Sequence, residues 1–325
     1  MTWLQPSHEG GTREERGRNE GVGDRHGLSW RLVLVSHAML WLILSLVTAF
    51  FESLRDVANK TSSTLHNDYV ITWSLNAFTA LLLLPFTLVL GTPTINPPFW
   101  NALLAGSFLN AIAYLYFIKA IRLSDLSKVA PLTTFTPLFL LLTSPILVGE
   151  FPTTWGLLGI LLIVSGAYLL NFAQRQTSYL QPLRALLNER GARFMLLVAF
   201  LWSLTSNFDK IGLQNSSPLF WVTTVYAANA LWLFPLMLLK CQGWREQIQA
   251  KPLPLLAIGG FNAIAVACQM TALSLTLVAY VIAIKRTSAM FNVLWGRFVF
   301  QETGLKQRLL GTTIMVLGVA VIALS

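Results

Sequence analysis

The chain has 325 residues, of which 54% are hydrophobic and 11% are charged, and its formal net charge is +9. With a mean hydropathy of +0.60, it lacks the polar surface that a soluble protein of this length needs, so a soluble fold is excluded. The positive charge does not form a basic face interleaved with aromatic residues, which argues against a nucleic-acid partner.

The predicted elements begin with a polar tail, residues 1–29, whose Gly, Arg and Glu content is typical of disorder. Ten apolar runs of roughly 20 residues follow, a length that spans a bilayer core, and lipid requires each of them to be a helix. The predicted spans cover residues 38–59, 68–90, 98–121, 126–149, 154–173, 194–213, 219–239, 252–274, 276–300 and 306–325. We therefore expect an all-α integral membrane protein, embedded in the lipid bilayer of the cell (inner) membrane.

A linker, residues 174–193, separates the fifth span from the sixth. Its leucines and arginines are arranged as in a short amphipathic helix lying on the membrane surface: Leu183, Arg184, Leu186, Leu187 and Arg190. Gly191 is expected to end this helix.

The chain contains an internal repeat. Residues 103–170 align without a gap on residues 255–322, and 18 of the 68 aligned positions are identical. The shared positions include Asn110 with Asn262, Glu150 with Glu302, Gly159 with Gly311, and Gly166 with Gly318. Two five-helix repeats, 38–173 and 194–325, follow from this pattern. Because five is an odd number, the second repeat must enter the membrane from the opposite side, so we predict inverted repeats.

These motifs resemble those of the drug/metabolite transporter superfamily, EamA type. Lys60 and Lys210 close the first helix of each half, Gly149 and Glu150 end the fourth, and Gly159 and Gly166 follow in the fifth. The resemblance implies a ten-helix carrier for a small-molecule substrate. It also implies that both termini lie in the cytoplasm, a topology that we keep. However, most loop Lys and Arg residues then fall on the other side, which conflicts with the positive-inside rule.

Charged residues inside a predicted span point to function, because each is costly to insert into lipid. Lys285 and Arg286 lie within the ninth span, where the first repeat carries the neutral residues Thr133 and Thr134. Two cations there would attract a carboxylate or a phosphate. The alternative is that one pairs with an intramembrane acid while the other extends to the interface.

Glu52 is the second charged candidate. Its place in the first span is similar to that of the membrane-embedded Glu of small multidrug-resistance proteins, where the Glu exchanges protons for substrate. A carboxyl group in apolar surroundings holds a proton more readily than one in water. Arg55 and Asp56 depart from that pattern, because an Arg one turn away would keep the carboxylate ionised. Two interpretations therefore remain open. Glu52 and Arg55 could take part in proton coupling, or Glu52 could form a structural ion pair with Arg55 or Lys285.

Polar side chains in other spans complete the candidate binding site. Asn110 and Asn262 occupy equivalent places in the third and eighth spans, with Tyr114 and Gln269 on the same helix faces. Asn76 stands in the second span, where relatives often carry Arg. A buried amide either binds substrate or holds a neighbouring helix, and both interpretations stay open. The repeated glycines are expected to allow close packing, and Glu150 and Glu302 to act as interfacial caps.

The predicted function is secondary-active transport, by efflux or exchange, of a small anionic or zwitterionic metabolite, with protons as a candidate coupling ion. The alternatives are a cation or drug–proton antiporter and a non-transporting membrane scaffold or sensor. Catalytic residues, a metal site and cofactors are not expected, since the four His and two Cys residues show no ligand-like spacing. The sequence leaves open whether the protein is a monomer or a homodimer.

Overall fold

The computed structural model describes residues 40–124, 130–172, 189–298 and 305–325, and all regular structure within these ranges is helical. The helix α1 covers residues 40–62. The others are α2 (Asp68–Leu90), α3 (Pro98–Leu123), a 3₁₀ helix (Ala130–Phe135), α4 (Thr136–Leu147), α5 (Thr154–Phe172), α6 (Arg190–Gln214), α7 (Pro218–Lys240), α8 (Trp244–Ala250), α9 (Pro252–Leu275), α10 (Val278–Lys285), α11 (Ser288–Phe298) and α12 (Leu305–Ala323).

Five of these helices, α2, α3, α6, α7 and α9, are long and apolar enough to cross a membrane. Shorter apolar helical stretches cover Leu132–Leu147, Thr154–Leu169 and Leu310–Ala323. The predicted all-helical, multi-pass membrane architecture is therefore confirmed. The predicted tail, residues 1–29, and the linker residues 174–188 lie outside the described residues.

Proline and glycine mark several helix boundaries. Pro98, Pro218 and Pro252 each stand at the first position of a helix, where the missing N–H would have had no partner in any case. Gly91 ends α2 with a φ of 77°, in the left-handed region that side chains with a Cβ atom rarely adopt. These signals are local, which is why the sequence places these boundaries well.

The ninth predicted span, 276–300, is not one continuous helix. The helix α10 ends at Lys285 and α11 begins at Ser288. In between, the backbone N–H of Thr287 donates to the carbonyl oxygen of Ile284 at 2.9 Å, a tighter 3₁₀-type bond. The equivalent place in the first repeat is also irregular, because the 3₁₀ helix Ala130–Phe135 precedes α4. The prediction of one continuous helix was therefore wrong. A long apolar sequence contains no local signal that marks such a break.

The helices α5 and α12 pack against each other through the repeated glycines. A Cβ atom on Gly159 would lie 2.8 Å from the carbonyl oxygen of Gly318, and one on Gly166 would lie 2.6 Å from that of Gly311. The early glycine of each helix thus meets the late glycine of the other, so α5 and α12 run antiparallel. Only glycine permits backbones to approach this closely.

Gly191 is also used for packing. It lies in the first turn of α6, where an added Cβ atom would meet the side chain of Ser124 and lie 2.8 Å from the carbonyl oxygen of Ala120. The expectation that Gly191 ends a helix was therefore wrong. At the other end of α6, Phe208 lies beside Gly106, so α6 runs antiparallel to α3.

Candidate functional site: a charged cavity

A cavity of about 640 Å³ lies between the helices of the two repeats. Its described lining comes from α1 to α4, the 3₁₀ helix, α6, α7, α9, α10 and α11, and includes no described residue of α5, α8 or α12. At the connection between α1 and α2, the cavity reaches the exposed side chains of Lys60 and Ser63. We call this the open end.

Toward the opposite end, next to the lining residue Asp209, lies a buried cluster around Lys210, near the end of α6. The Lys210 Nζ atom lies 3.1 Å from Glu150 Oε1 and donates to the carbonyl oxygens of Leu273 (2.6 Å) and Thr276 (2.8 Å). The second carboxylate oxygen of Glu150 accepts from the backbone N–H of Val278 at 2.9 Å. These five residues form the closed-end cluster, which ties α6 to the end of α9 and the start of α10.

Glu150 was expected to act as an interfacial cap. Its carboxylate caps the N-terminus of α10 in the other repeat rather than its own helix. Its repeat counterpart, Glu302, lies outside the described residues.

The middle of the cavity wall carries a network of ion pairs centred on Glu52. Arg55 Nη2 lies 2.8 Å from Glu52 Oε1, and Lys285 Nζ lies 3.4 Å from the same oxygen. The same Arg55 Nη2 atom lies 2.8 Å from Asp56 Oδ1, while Lys285 donates to Gln269 Oε1 at 2.9 Å. The sequence predicted a Glu52–Arg55 pair or a Glu52–Lys285 pair as alternatives, and the structure contains both.

Asn262 supports this network from outside the cavity. It is fully buried, and its side-chain oxygen accepts from Arg55 Nη1 at 3.2 Å while its amide donates to Thr79 Oγ1 at 3.0 Å. Asn292 donates to Asp56 Oδ2 at 3.0 Å. The Arg55 guanidinium is therefore held by groups from α1 and α9, and the Asp56 carboxylate is held by Asn292 of α11.

Seven of the nine predicted site residues line the cavity, and the structure brings them together from four helices and the α10–α11 break: Glu52, Arg55, Asn110, Tyr114, Gln269, Lys285 and Arg286. Asn262 and Asn76 are not among the lining residues. Asn76 is buried and donates to the carbonyl oxygen of Thr72 on its own helix, at 2.9 Å. Substrate contact by any of these residues stays a prediction.

Sequence analysis missed Asp209, which also lines the cavity. Its carboxylate accepts a hydrogen bond from the Trp221 indole N–H at 2.9 Å. Asp209 precedes Lys210 directly, so it lies toward the closed end. The signal was available, because Asp209 is an acid within a predicted span, the criterion that selected Lys285.

Comparison with known proteins agrees with this architecture. The sequence profile of the EamA-like transporter family matches residues 39–172 and, a second time, residues 189–324. No curated protein matches the chain. A solved structure, described only as the crystal structure of a protein, superposes with a TM-score of 0.69 at 15% sequence identity, and the match covers 87% of this chain and 96% of the other. At that identity, the likeness shows the fold alone.

The two profile matches together cover most of the chain, one for each copy of the internal repeat. They confirm the resemblance that the glycine, glutamate and lysine motifs indicated. The chain belongs to the EamA-like transporter family.

Proposed function

We propose that this family member is a secondary-active carrier, working by efflux or exchange in the cell (inner) membrane, for a small anionic or zwitterionic metabolite. One observation carries the proposal: a charged cavity reaches exposed residues at one end, whereas the other end of the bundle holds the buried closed-end cluster. A carrier that alternates access needs such one-sided access to a central site.

The proposed architecture has ten spans in two inverted repeats. In it, α10 and α11 form one broken span, and the 3₁₀ helix with α4 forms its counterpart. The antiparallel contact between α5 and α12 supports the inversion, since equivalent helices of the two repeats run in opposite directions. Broken helices commonly lie at the binding sites of such carriers, and here Lys285 and Arg286 lie at the break.

The proposed preference for an anionic group depends on Lys285 and Arg286. Lys285 is already paired with Glu52, whereas Arg286 contacts the neutral hydroxyl of Thr136, to which it donates from Nη2 at 3.1 Å. An Arg guanidinium presents several N–H donors in a plane that matches a carboxylate or a phosphate. Arg286 is therefore the better placed of the two cations to bind an anionic substrate group.

We propose proton coupling through Glu52 as a separate part of this function. Two cations within 3.4 Å of one carboxylate oxygen favour its ionised form, while the other oxygen, Oε2, is buried and has no hydrogen-bond partner among the residues that the structure describes. The test is Glu52→Gln, measured as gradient-driven flux in proteoliposomes. Flux that no longer responds to a proton gradient supports coupling at Glu52, and flux that keeps its response shows that coupling lies elsewhere.

The substrate class can be tested by thermal unfolding of the detergent-purified protein with cationic, zwitterionic and anionic metabolites. A ligand at a hundred times its dissociation constant should stabilise the protein by about 2.7 kcal/mol. We expect stabilisation by anions or zwitterions, weakened in Arg286→Gln. Stabilisation by cations alone would favour a cation antiporter, and the absence of any effect would favour a scaffold.

A further inference from the structure

A second recess, of about 490 Å³, lies between the end of α3 and the start of α6. It is lined by three basic and two apolar residues: Lys119, Leu123, Arg190, Arg193 and Phe194. None of them lines the central cavity. Arg122, also at the end of α3, lies 3.5 Å from Asp68 at the start of α2, so the recess is on the side of the open end.

Close packing of α3 against α6 brings the three cations together. A Cβ atom added to Gly191 would lie 2.8 Å from the carbonyl oxygen of Ala120, so the two backbones nearly touch at this level. Each of these residues directly follows a cation of the recess, Arg190 on α6 and Lys119 on α3. Arg193 is three residues beyond Arg190 on the same helix face. The three positive charges therefore surround one recess.

An aromatic stack holds the lysine in place. The Lys119 Nζ atom lies 4.4 Å from the centroid of the Phe194 ring, which stacks on Tyr116 with a centroid distance of 5.4 Å. A cation–π contact orients the ammonium but does not neutralise it. Lys119, Arg190 and Arg193 make no ion pair with any residue that the structure describes, and all three side chains are exposed. Their charge is thus available to a ligand.

The neighbouring segments of the chain do not supply the matching negative charge. The two segments that adjoin the recess in the sequence, 125–129 and 173–188, carry three basic residues and one acid, Asp125. Glu189, directly before α6, is the other nearby acid. With the three cations of the recess, basic residues outnumber acids by a wide margin. Charge complementarity therefore favours an anionic occupant from outside the chain.

Exposed apolar side chains continue from the recess away from the open end. Leu197 and Phe200 follow Arg193 at spacings of four and seven residues on α6, and both are 37% exposed. Leu115 precedes Lys119 by one turn on α3 and is 36% exposed. Because α3 and α6 run antiparallel, all three apolar residues lie on the same side of the cations, toward the middle of the spans. A cationic recess thus adjoins an apolar strip.

We propose that this recess binds an acidic phospholipid, with Lys119, Arg190 and Arg193 around its phosphate and its acyl chains along the apolar strip. Three cations around one recess match a headgroup with a net negative charge. A zwitterionic headgroup adds an ammonium, which these cations would repel. A free phosphate ion would leave the apolar strip unused. The site lies outside the central cavity and does not depend on what the carrier transports.

The experiment compares lipids on the full chain in neutral detergent, with bound lipid measured by native mass spectrometry. Phosphatidylglycerol is titrated beside phosphatidylcholine with the same acyl chains, and beside glycerol 3-phosphate and inorganic phosphate, which have no acyl chains. We expect phosphatidylglycerol to bind about tenfold more tightly than phosphatidylcholine and than either soluble phosphate. This comparison needs no variant to fold. Equal binding of the two lipids, or a soluble phosphate that binds as tightly as phosphatidylglycerol, would overturn the proposal.

A double variant then assigns the preference to the recess. Lys119→Gln combined with Arg193→Gln removes two of its three cations, so the preference for phosphatidylglycerol over phosphatidylcholine should fall to about threefold or less. A preference that stays near tenfold in this variant would contradict the assignment.

The matched control is Lys240→Gln combined with Arg245→Gln. It also removes one exposed Lys and one exposed Arg, from the end of α7 and from α8, and neither residue lines the recess. Because both double variants change the net charge equally, the control should keep the full preference. An equal loss in the control would show that acidic lipid is attracted by the overall positive charge of the protein, and the proposed site would be wrong.

Discussion

The two repeats place the same residue types at equivalent positions, yet the pairs lie in different surroundings. Lys210 is buried in the closed-end cluster, whereas its counterpart Lys60 is exposed at the open end. Asn262 is fully buried and holds Arg55, whereas its counterpart Asn110 lines the cavity. In the proposed inverted arrangement, equivalent residues lie at opposite ends of the bundle, so a carrier that opens one end and closes the other would treat them differently. The repeat thus predicts the fold, and its departures from symmetry support the proposed site.

The lysine pair offers the largest contrast. Lys210→Met removes an ammonium from three acceptors and leaves the Glu150 carboxylate without its cation, so we expect a loss of roughly 3 kcal/mol in the free energy of unfolding. Lys60→Met should cost less than about 1 kcal/mol, because the side chain is exposed. Thermal unfolding of both variants in detergent checks this. Equal losses in the free energy of unfolding for the two variants would contradict the proposed difference between the buried and the exposed lysine.

A second contrast concerns the glycine contact between α5 and α12. Gly318→Ala would place a Cβ atom 2.8 Å from the carbonyl oxygen of Gly159, so the helices must separate, at a cost of about 1–3 kcal/mol. The matched control is Gly260→Ala, whose nearest neighbour would be Leu82 Cδ1 at 3.9 Å. That variant should be neutral or stabilised by up to about 1 kcal/mol, since Ala favours helix. Similar unfolding temperatures for the two variants would contradict the close packing.

The asparagine pair should give the smallest effect on stability and the clearest division of roles. Asn262→Ala removes the groups that bond to Arg55 and Thr79, and should cost about 1–2 kcal/mol. Asn110→Ala should change stability by less than about 0.5 kcal/mol and act on ligand affinity instead, because Asn110 is only partly buried at the cavity wall. Unfolding and ligand-binding measurements on both variants would show whether the roles divide this way. A stability loss confined to Asn110→Ala would reverse the assignment.

Much of the helical organisation is predictable, because lipid makes apolar length and helix termini strong signals. The prediction for residues 68–90 agrees with α2, and Pro98 and Pro252 begin α3 and α9 as their fixed backbone angles favour. The break at Arg286 and Thr287 is different. It depends on neighbouring helices that provide partners for the backbone and side chains there, and such contacts leave no local pattern.

The sequence predicted only part of the candidate site, because some of its features are local and others depend on packing. Lys285, Arg286 and Glu52 are charges in apolar runs, which a single sequence displays directly. Which amide faces the cavity depends on helix rotation, and so Asn110 and Asn262 could not be told apart. The pairing of Glu52 with Arg55 and Lys285 depends on packing between α1, α9 and α10.

The most direct test of the proposed carrier is counterflow in proteoliposomes, with anionic, zwitterionic or cationic metabolites loaded inside and their labelled forms outside. We expect transient, saturable accumulation of an anionic or zwitterionic metabolite, strongly reduced in Arg286→Gln. Accumulation of cations alone, or none with any metabolite while the protein remains folded, would contradict the proposal that Arg286 and its cavity carry a metabolite across the membrane.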